Sequence, residues 1–140
     1  MGQILRCRII FIEEQVPKVK IFRVEPLAGP IPAFKAGQFA FVHILDEKGS
    51  SLEKRPYSIA SPPSSPYLEF CIKNVDGRMT SILDKMTVGC IVGVDLPYGN
   101  FSYDGQKKVA LIGGGSGVAP LVGMLRDIAA RHIDGSFVLF

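Results

Sequence analysis

A break in residue texture near position 97 restricts the fold more than any other feature of this chain. Before it, strand-like segments cover residues 4–13, 19–24, 38–45, 67–73 and 90–96. They are rich in branched and aromatic residues and are divided by turn chemistry: Gln15-Val16-Pro17-Lys18 after the first, then a stretch from Pro26 to Gly37 holding three prolines and two glycines. Residues 67–73 alternate, so Leu68, Phe70 and Ile72 are expected to face a core and Glu69, Cys71 and Lys73 the opposite side. Many short strands at this spacing predict a closed antiparallel barrel or sandwich. One helix interrupts them over residues 78–86, where Met79, Ile82, Leu83 and Met86 fall at helical spacing.

Beyond Pro97-Tyr98-Gly99-Asn100 the pattern is different. An apolar strand over 108–112 runs into Gly113-Gly114-Gly115-Ser116-Gly117, and a helix over 118–132 places Val118, Leu121, Val122, Leu125, Ala129 and His132 on one face. Asp134-Gly135 ends that helix, and residues 136–140 begin another apolar strand. This order predicts one βαβ unit, which ordinarily belongs to a larger parallel sheet buried on both faces. Two parallel strands alone leave a long edge open, so either the rest of that domain or a partner is expected to cover it.

Composition removes several function classes. Hydrophobic residues make up 47% and charged residues 21% of the 140, the balance of a globular protein. Mean hydropathy is +0.25, yet no apolar run approaches the roughly 18 residues that a membrane span needs. The first 14 residues lack the uninterrupted apolar core and small-residue cleavage site of a signal peptide, so the expected location is cytoplasmic. The net charge of +3 is scattered, which argues against nucleic acid. Cys7, Cys71 and Cys90 are far apart and read as reduced core thiols, forming neither a disulfide framework nor a metal or iron-sulfur site. No metal ligands are assigned. His43, in a strand, and His132, at a helix end, are read as structural.

Three constellations could carry chemistry. Glycines between a strand and a helix let backbone amides approach a pyrophosphate at the positive end of the helix. Here Pro120 stands where the usual fingerprint has its third glycine, which the first helical turn tolerates. No Lys-Ser or Lys-Thr follows, so this is not a P-loop; an ordinary tight turn remains the alternative. Arg55-Pro56-Tyr57-Ser58 sets a guanidinium, a flat aromatic face and a hydroxyl together, suited to an anion and a planar group but also to an edge strand with a solvated Arg. Gly77-Arg78-Met79-Thr80-Ser81 opens the inserted helix, either as a second anion-binding helix start or as a plain helix-start sequence.

In this order the motifs resemble the ferredoxin-NADP reductase superfamily of flavoproteins. Arg55, Tyr57 and Ser58 match its Arg-x-Tyr-Ser/Thr pattern, and Gly77 and Thr80 its Gly-x-x-Ser/Thr phosphate motif. Ala36-Gly37-Gln38-Phe39 matches the preceding strand, Pro97-Tyr98-Gly99-Asn100-Phe101 the interdomain stretch, and residues 113–120 the nicotinamide-nucleotide motif. The resemblance implies a mainly β fold: an antiparallel six-stranded flavin-binding barrel with one inserted helix, followed by the first βαβ unit of a Rossmann-like α/β domain. It divides the chain into residues 1–100 and an incomplete nucleotide-binding part, 101–140.

It further implies that Arg55 holds the flavin pyrophosphate, that Pro56 and Tyr57 lie along the flavin, and that Ser58 hydrogen-bonds flavin N5, with Tyr57 and Ser58 as the catalytic pair. Main-chain groups of Ile72 and Lys73, with Gly77, Met79 and Thr80, complete the flavin site; Gly114, Gly115, Ser116 and Gly117 receive the pyridine nucleotide. The implied cofactor is FAD in preference to FMN, with NADH or NADPH as co-substrate. Electrons would pass to an acceptor protein, ferredoxin-like, an oxygenase or another redox subunit. The members of the superfamily continue for several further βα units past the point matched by Phe140. Two other readings stay open: a non-catalytic flavin-binding subunit completed by a partner chain, and a barrel that binds no flavin.

Overall fold

A computed structural model describes residues 3–140 of the chain. The first hairpin pairs β1 (Leu5–Val16) with β2 (Val19–Pro26), Val16 facing Val19 across a turn of Pro17 and Lys18. Proline presets the first turn position, and Lys18 takes the second with φ of 67°. A register shift between Ile9 and Phe11 bends β1, so that its first residues also pair with β6 (Ile91–Tyr98), from Leu5 opposite Val94 to Arg8 opposite Ile91. Strand β3 (Phe39–Leu45) lies between β6 and β4 (Ser51–Ser58), and β5 (Leu68–Lys73) follows β2, giving the antiparallel order β4-β3-β6-β1-β2-β5.

The sheet curls but does not close, which corrects the closed barrel expected from the strand spacing. Its edges, β4 and β5, meet just past the end of β4, where the Ala60 N–H donates to the Glu69 carbonyl at 2.8 Å. From there the lips diverge. Pro56 removes one donor from the β4 lip, a common device of edge strands. Helix α1 (Arg78–Asp84), which follows β5, sends Met79 and Leu83 into the core.

That core consists of the inward residues of β1, β2, β3, β5 and β6, with the half-buried Tyr57 of β4 packed against them. Leu68, Phe70 and Ile72 are fully or almost fully buried, as the alternation of β5 predicts. Glu69, on the opposite face, is buried too, at 3% exposure, where Arg126 of a later helix reaches it. In α1 the buried side is Met79, Thr80 and Leu83, while Ile82 points outward: in so short a helix one apolar row suffices. Of the three thiols only Cys7 is a core residue; Cys71 and Cys90 are partly exposed.

A second apolar cluster is formed by Ala36, Tyr103, Leu111, Leu121, Met124 and Ile128. It joins the loop before β3 to β7 (Lys108–Leu111) and α2 (Ala119–Ala130), and β8 (Ser136–Leu139) runs parallel to β7. The buried side of α2 is Ala119, Leu121, Gly123, Met124, Asp127 and Ile128 rather than the expected row, of which Ala129 and His132 are exposed and Val118 and Val122 half-buried. Two neighbours cause the difference. Leu121, Met124 and Ile128 meet β7, and Gly123 meets the segment after β4, where an added Cβ would lie 2.8 Å from the Ile59 carbonyl. Among the described residues no helix is long and apolar enough to cross a membrane.

Candidate functional site

A cleft of about 480 Å³ opens where the lips of β4 and β5 part. Arg55, Pro56, Tyr57 and Ser58 form one wall, Cys71, Lys73 and Val75 the other, and the start of α1 the floor, with Gly77, Arg78, Met79 and Thr80. Ser116 and Gly117 of the glycine loop and Ala119 of α2 close the far side. Segments up to 64 residues apart thus converge. Of the residues singled out in the sequence, Ile72 turns its side chain into the core, and Gly114 and Gly115 lie outside the cleft wall. Cys71, Val75, Arg78 and Ala119 were not singled out as site residues. For Cys71 a signal existed, since it shares the outward face of β5 with Lys73; for Ala119 only the tertiary fold brings it near.

Charge at the cleft is mostly positive. Arg55 is exposed, donates to the Lys54 carbonyl at 2.8 Å and pairs with Glu53 at 2.8 Å. The other oxygen of Glu53 sits 3.7 Å from Arg78 Nε and has no hydrogen bond, so one carboxylate stands between two guanidiniums. Tyr57 packs its ring against the barrel core; burial pushes its phenol up, with the Arg55 charge pulling the other way, so it keeps its proton at neutral pH. Burial also raises the Cys71 thiol, helped by the charge of Glu69.

Two stretches flank the cleft as one packed unit. Ser58 pairs with Phe39, whose ring stacks on Tyr98 at 5.8 Å, and Gly99, at φ of 96°, leaves room for it: a Cβ there would touch the Phe39 ring at 3.0 Å. Gln38 Nε2 donates to the Gly99 carbonyl at 2.9 Å, and the Tyr103 N–H to the Ala36 carbonyl at 2.9 Å. Residues 36–39 and 97–103, separate motifs in the sequence, are thus two sides of one seam.

The start of α1 has no side-chain cap; the Thr80 hydroxyl instead donates to the Gly77 carbonyl at 3.3 Å and accepts from the Val75 N–H at 3.4 Å, closing the turn. In the glycine loop, Gly113 is demanded by packing, since a Cβ would lie 2.7 Å from Leu121, and Gly115 by its φ of 57°. Gly114 and Gly117 have neither constraint: nothing lies within 4 Å of a Cβ at either. Their smallness leaves open approach to the backbone from outside. Pro120 occupies the first turn of α2, as expected.

The family profile described as "Oxidoreductase FAD-binding domain" matches residues 6–103. Over 124 residues the chain is 38% identical to the sulfhydrogenase 2 subunit gamma of Pyrococcus furiosus, covering 84% of this chain and 41% of that protein. It is 29% identical over 127 residues to the terephthalate 1,2-dioxygenase reductase component 2 of a Comamonas species, covering 88% and 36%. Phthalate dioxygenase reductase, described as a modular structure for electron transfer from pyridine nucleotides to [2Fe-2S], superposes with a TM-score of 0.80 at 29% identity, over 97% of this chain and 42% of that one. A ferredoxin NADP+ reductase from Neisseria gonorrhoeae, with bound FAD and NADP, has the same fold, at a TM-score of 0.81 and 24% identity over 99% and 57%. The chain thus spans 36% to 41% of the length of these two sequence relatives. With a profile match over most of its length, the chain belongs to the oxidoreductase FAD-binding domain family, and it shares its fold with a ferredoxin NADP+ reductase.

Proposed function

We propose that the protein is the flavin-binding module of an NAD(P)H-dependent oxidoreductase that passes electrons to an acceptor protein or metal centre. The observation that carries this reading is the convergence of the β4 motif, the α1 start and the glycine loop on one cleft. The residues fit a flavin dinucleotide. Arg55 and Arg78 offer guanidiniums to a pyrophosphate, the Gly77 turn offers backbone, and the half-buried Tyr57 offers a protonated phenol and a ring face. The lips, unpaired with each other here, leave main-chain groups of the β5 end, at Ile72 and Lys73, available to a ring system. In this reading Tyr57 lies along the flavin and Ser58 places a hydroxyl at N5, while Met79 and Thr80 support the floor.

When bound, FAD would supply hydride acceptance from a nicotinamide and release of electrons singly or in pairs. Gly114, Gly115, Ser116 and Gly117 would receive the pyridine nucleotide. Gly114 and Gly117 support this, because the chain's own packing does not require glycine there. Residues 1–100 would form the flavin-binding part and 101–140 the beginning of the nucleotide-binding part. FAD is preferred to FMN because the Arg55 and Arg78 pair suits a pyrophosphate. The acceptor would be an iron-sulfur protein, an oxygenase or another redox subunit, by likeness to relatives named as reductase components; those names do not favour a purely docking role. Three free cysteines suit a reducing, cytoplasmic setting.

The test is direct. Purified protein mixed with excess FAD or FMN and then desalted should retain FAD, giving the visible flavin bands with fluorescence altered from free flavin. Protein that emerges colourless from both mixtures would refute the reading.

A further inference from the structure

A buried carboxylate with both oxygens in hydrogen bonds, Glu69, lies outside the cleft. Glu69 is 3% exposed on the outward face of β5. Its Oε2 accepts from Arg23 Nε at 2.8 Å, and that guanidinium lies over the rings of Phe11, at 4.4 Å, and Tyr67, at 4.9 Å. Its backbone is fixed as well, the N–H donating to Ser61 Oγ at 3.0 Å and the carbonyl accepting from Ala60 at 2.8 Å. The barrel therefore presents a preoriented carboxylate with one oxygen left over. Arg126 of α2 fills that position: its Nη1 reaches Oε1 at 2.6 Å and the Ala60 carbonyl at 3.0 Å.

This contact ties both sides of the cleft together. Glu69 shares a strand face with Cys71 and Lys73 of the lip, and α2 begins at Ala119, two residues past Gly117. Arg126 is about 10 Å along the helix from Ala119, so a small tilt about it swings the glycine loop across the cleft. Gly123 lets the helix backbone sit against Ile59 and adds no other polar anchor.

We propose that Glu69 and Arg126 form a registration pin between the barrel and α2, making Arg126 a positioning residue for pyridine-nucleotide use. The inference rests on the flavin reading for its functional half and on geometry alone for its structural half.

Both halves are tested in the full chain with R126L, which leaves Glu69 paired to Arg23, and with E69Q as the second variant. Amide hydrogen exchange in R126L should quicken about tenfold over residues 113–126 and stay unchanged in β1 to β3. Unchanged exchange throughout, or equal acceleration in every strand, overturns the pin. In FAD-loaded R126L, flavin affinity should stay within about twofold of wild type, while the NADH or NADPH concentration giving half-maximal flavin reduction rises about fivefold or more, with R126K partly restoring it. Equal losses in flavin affinity and nucleotide response overturn the positioning role. If wild type takes up no flavin or is not reduced, the functional reading fails and the exchange result alone decides the pin.

Discussion

The seam between residues 36–39 and 97–103 yields a sharp quantitative expectation at Gly37. Its φ is 105°, and an added Cβ would lie 2.6 Å from the Phe101 carbonyl and 3.1 Å from Ser102 Cα, besides touching Met124 Cε. The methionine end can move, but the two backbone atoms cannot without opening the seam. Replacing Gly37 by Ala therefore carries a conformational cost of about 1–2 kcal/mol for positive φ and a packing cost of about 1–3 kcal/mol. Gly29 separates the two, because it has φ of 74° with nothing within 4 Å of a Cβ. Both changes remove a similar amount of unfolded-chain entropy, so that contribution cancels in the comparison. Urea unfolding of the two variants should place G37A about 1–3 kcal/mol below G29A, with the same dependence on denaturant. Equal stabilities for G37A and G29A would refute the tight seam and the packing role assigned to this motif.

Three further outcomes are expected. R55A should weaken FAD binding roughly 10- to 150-fold, the loss of one charge-assisted hydrogen bond, while shifting stability by about 1 kcal/mol or less because its pair with Glu53 lies at an exposed guanidinium; a fluorescence titration showing unchanged affinity would exclude Arg55 from the site. Burial alone would raise the Glu69 carboxyl, but the hydrogen bonds and charges of Arg126 and Arg23 outweigh it and hold the group below its ordinary value of 4.5. Its folded pKa is thus depressed, so its contribution to stability is complete above that value and is lost as pH falls through the folded pKa; E69Q should flatten the acid limb of the thermal-stability profile below about pH 4.5. Burial pushes the Cys7 thiol up to about 12, so maleimide at pH 8 should modify the partly exposed Cys71 and Cys90 first and Cys7 only on unfolding. Excess FAD should slow labelling of Cys71, which lines the cleft, and leave Cys90 unaffected; equal rates with and without FAD would place the flavin elsewhere.

What the sequence made legible was whatever repeats locally. The period-two pattern of β5 placed Leu68, Phe70 and Ile72 inward, and three of the short motifs, at Arg55–Ser58, Gly77–Thr80 and Ser116–Gly117, contribute residues to one cleft. Features set by distant contacts were not legible. Glu69 is buried among partners distant in sequence, Arg23 and Arg126, 46 and 57 residues away. The buried side of α2 escaped a single-stripe reading because one helix serves two neighbours, through Leu121, Met124 and Ile128 on one side and Gly123 on the other. Closure of a sheet is likewise a property of its two edges, and no periodicity within β4 or β5 records whether they meet. Pro56, which cannot donate, was the one local sign that they do not.

That opening and the proposed site are one physical fact. A sheet edge displays unpaired backbone groups that invite another strand, and proteins usually blunt such edges with proline, charge or a covering element. Here all three are present around the gap: Pro56 in β4, Arg55 and Lys73 on the lips, and α1 beneath. The same groups make the gap receptive to a different occupant, since main-chain donors and acceptors beside guanidiniums suit a planar, anionic molecule better than a peptide strand. Closing the barrel would satisfy the edges and remove the cleft. Keeping it open costs little as long as Ala60 and Glu69 hold the lips together at one end, and that is the end where Arg126 anchors α2. The residue whose carbonyl limits the opening, Glu69, is therefore also the residue whose carboxylate, through Arg126, sets how far the glycine loop stands from it.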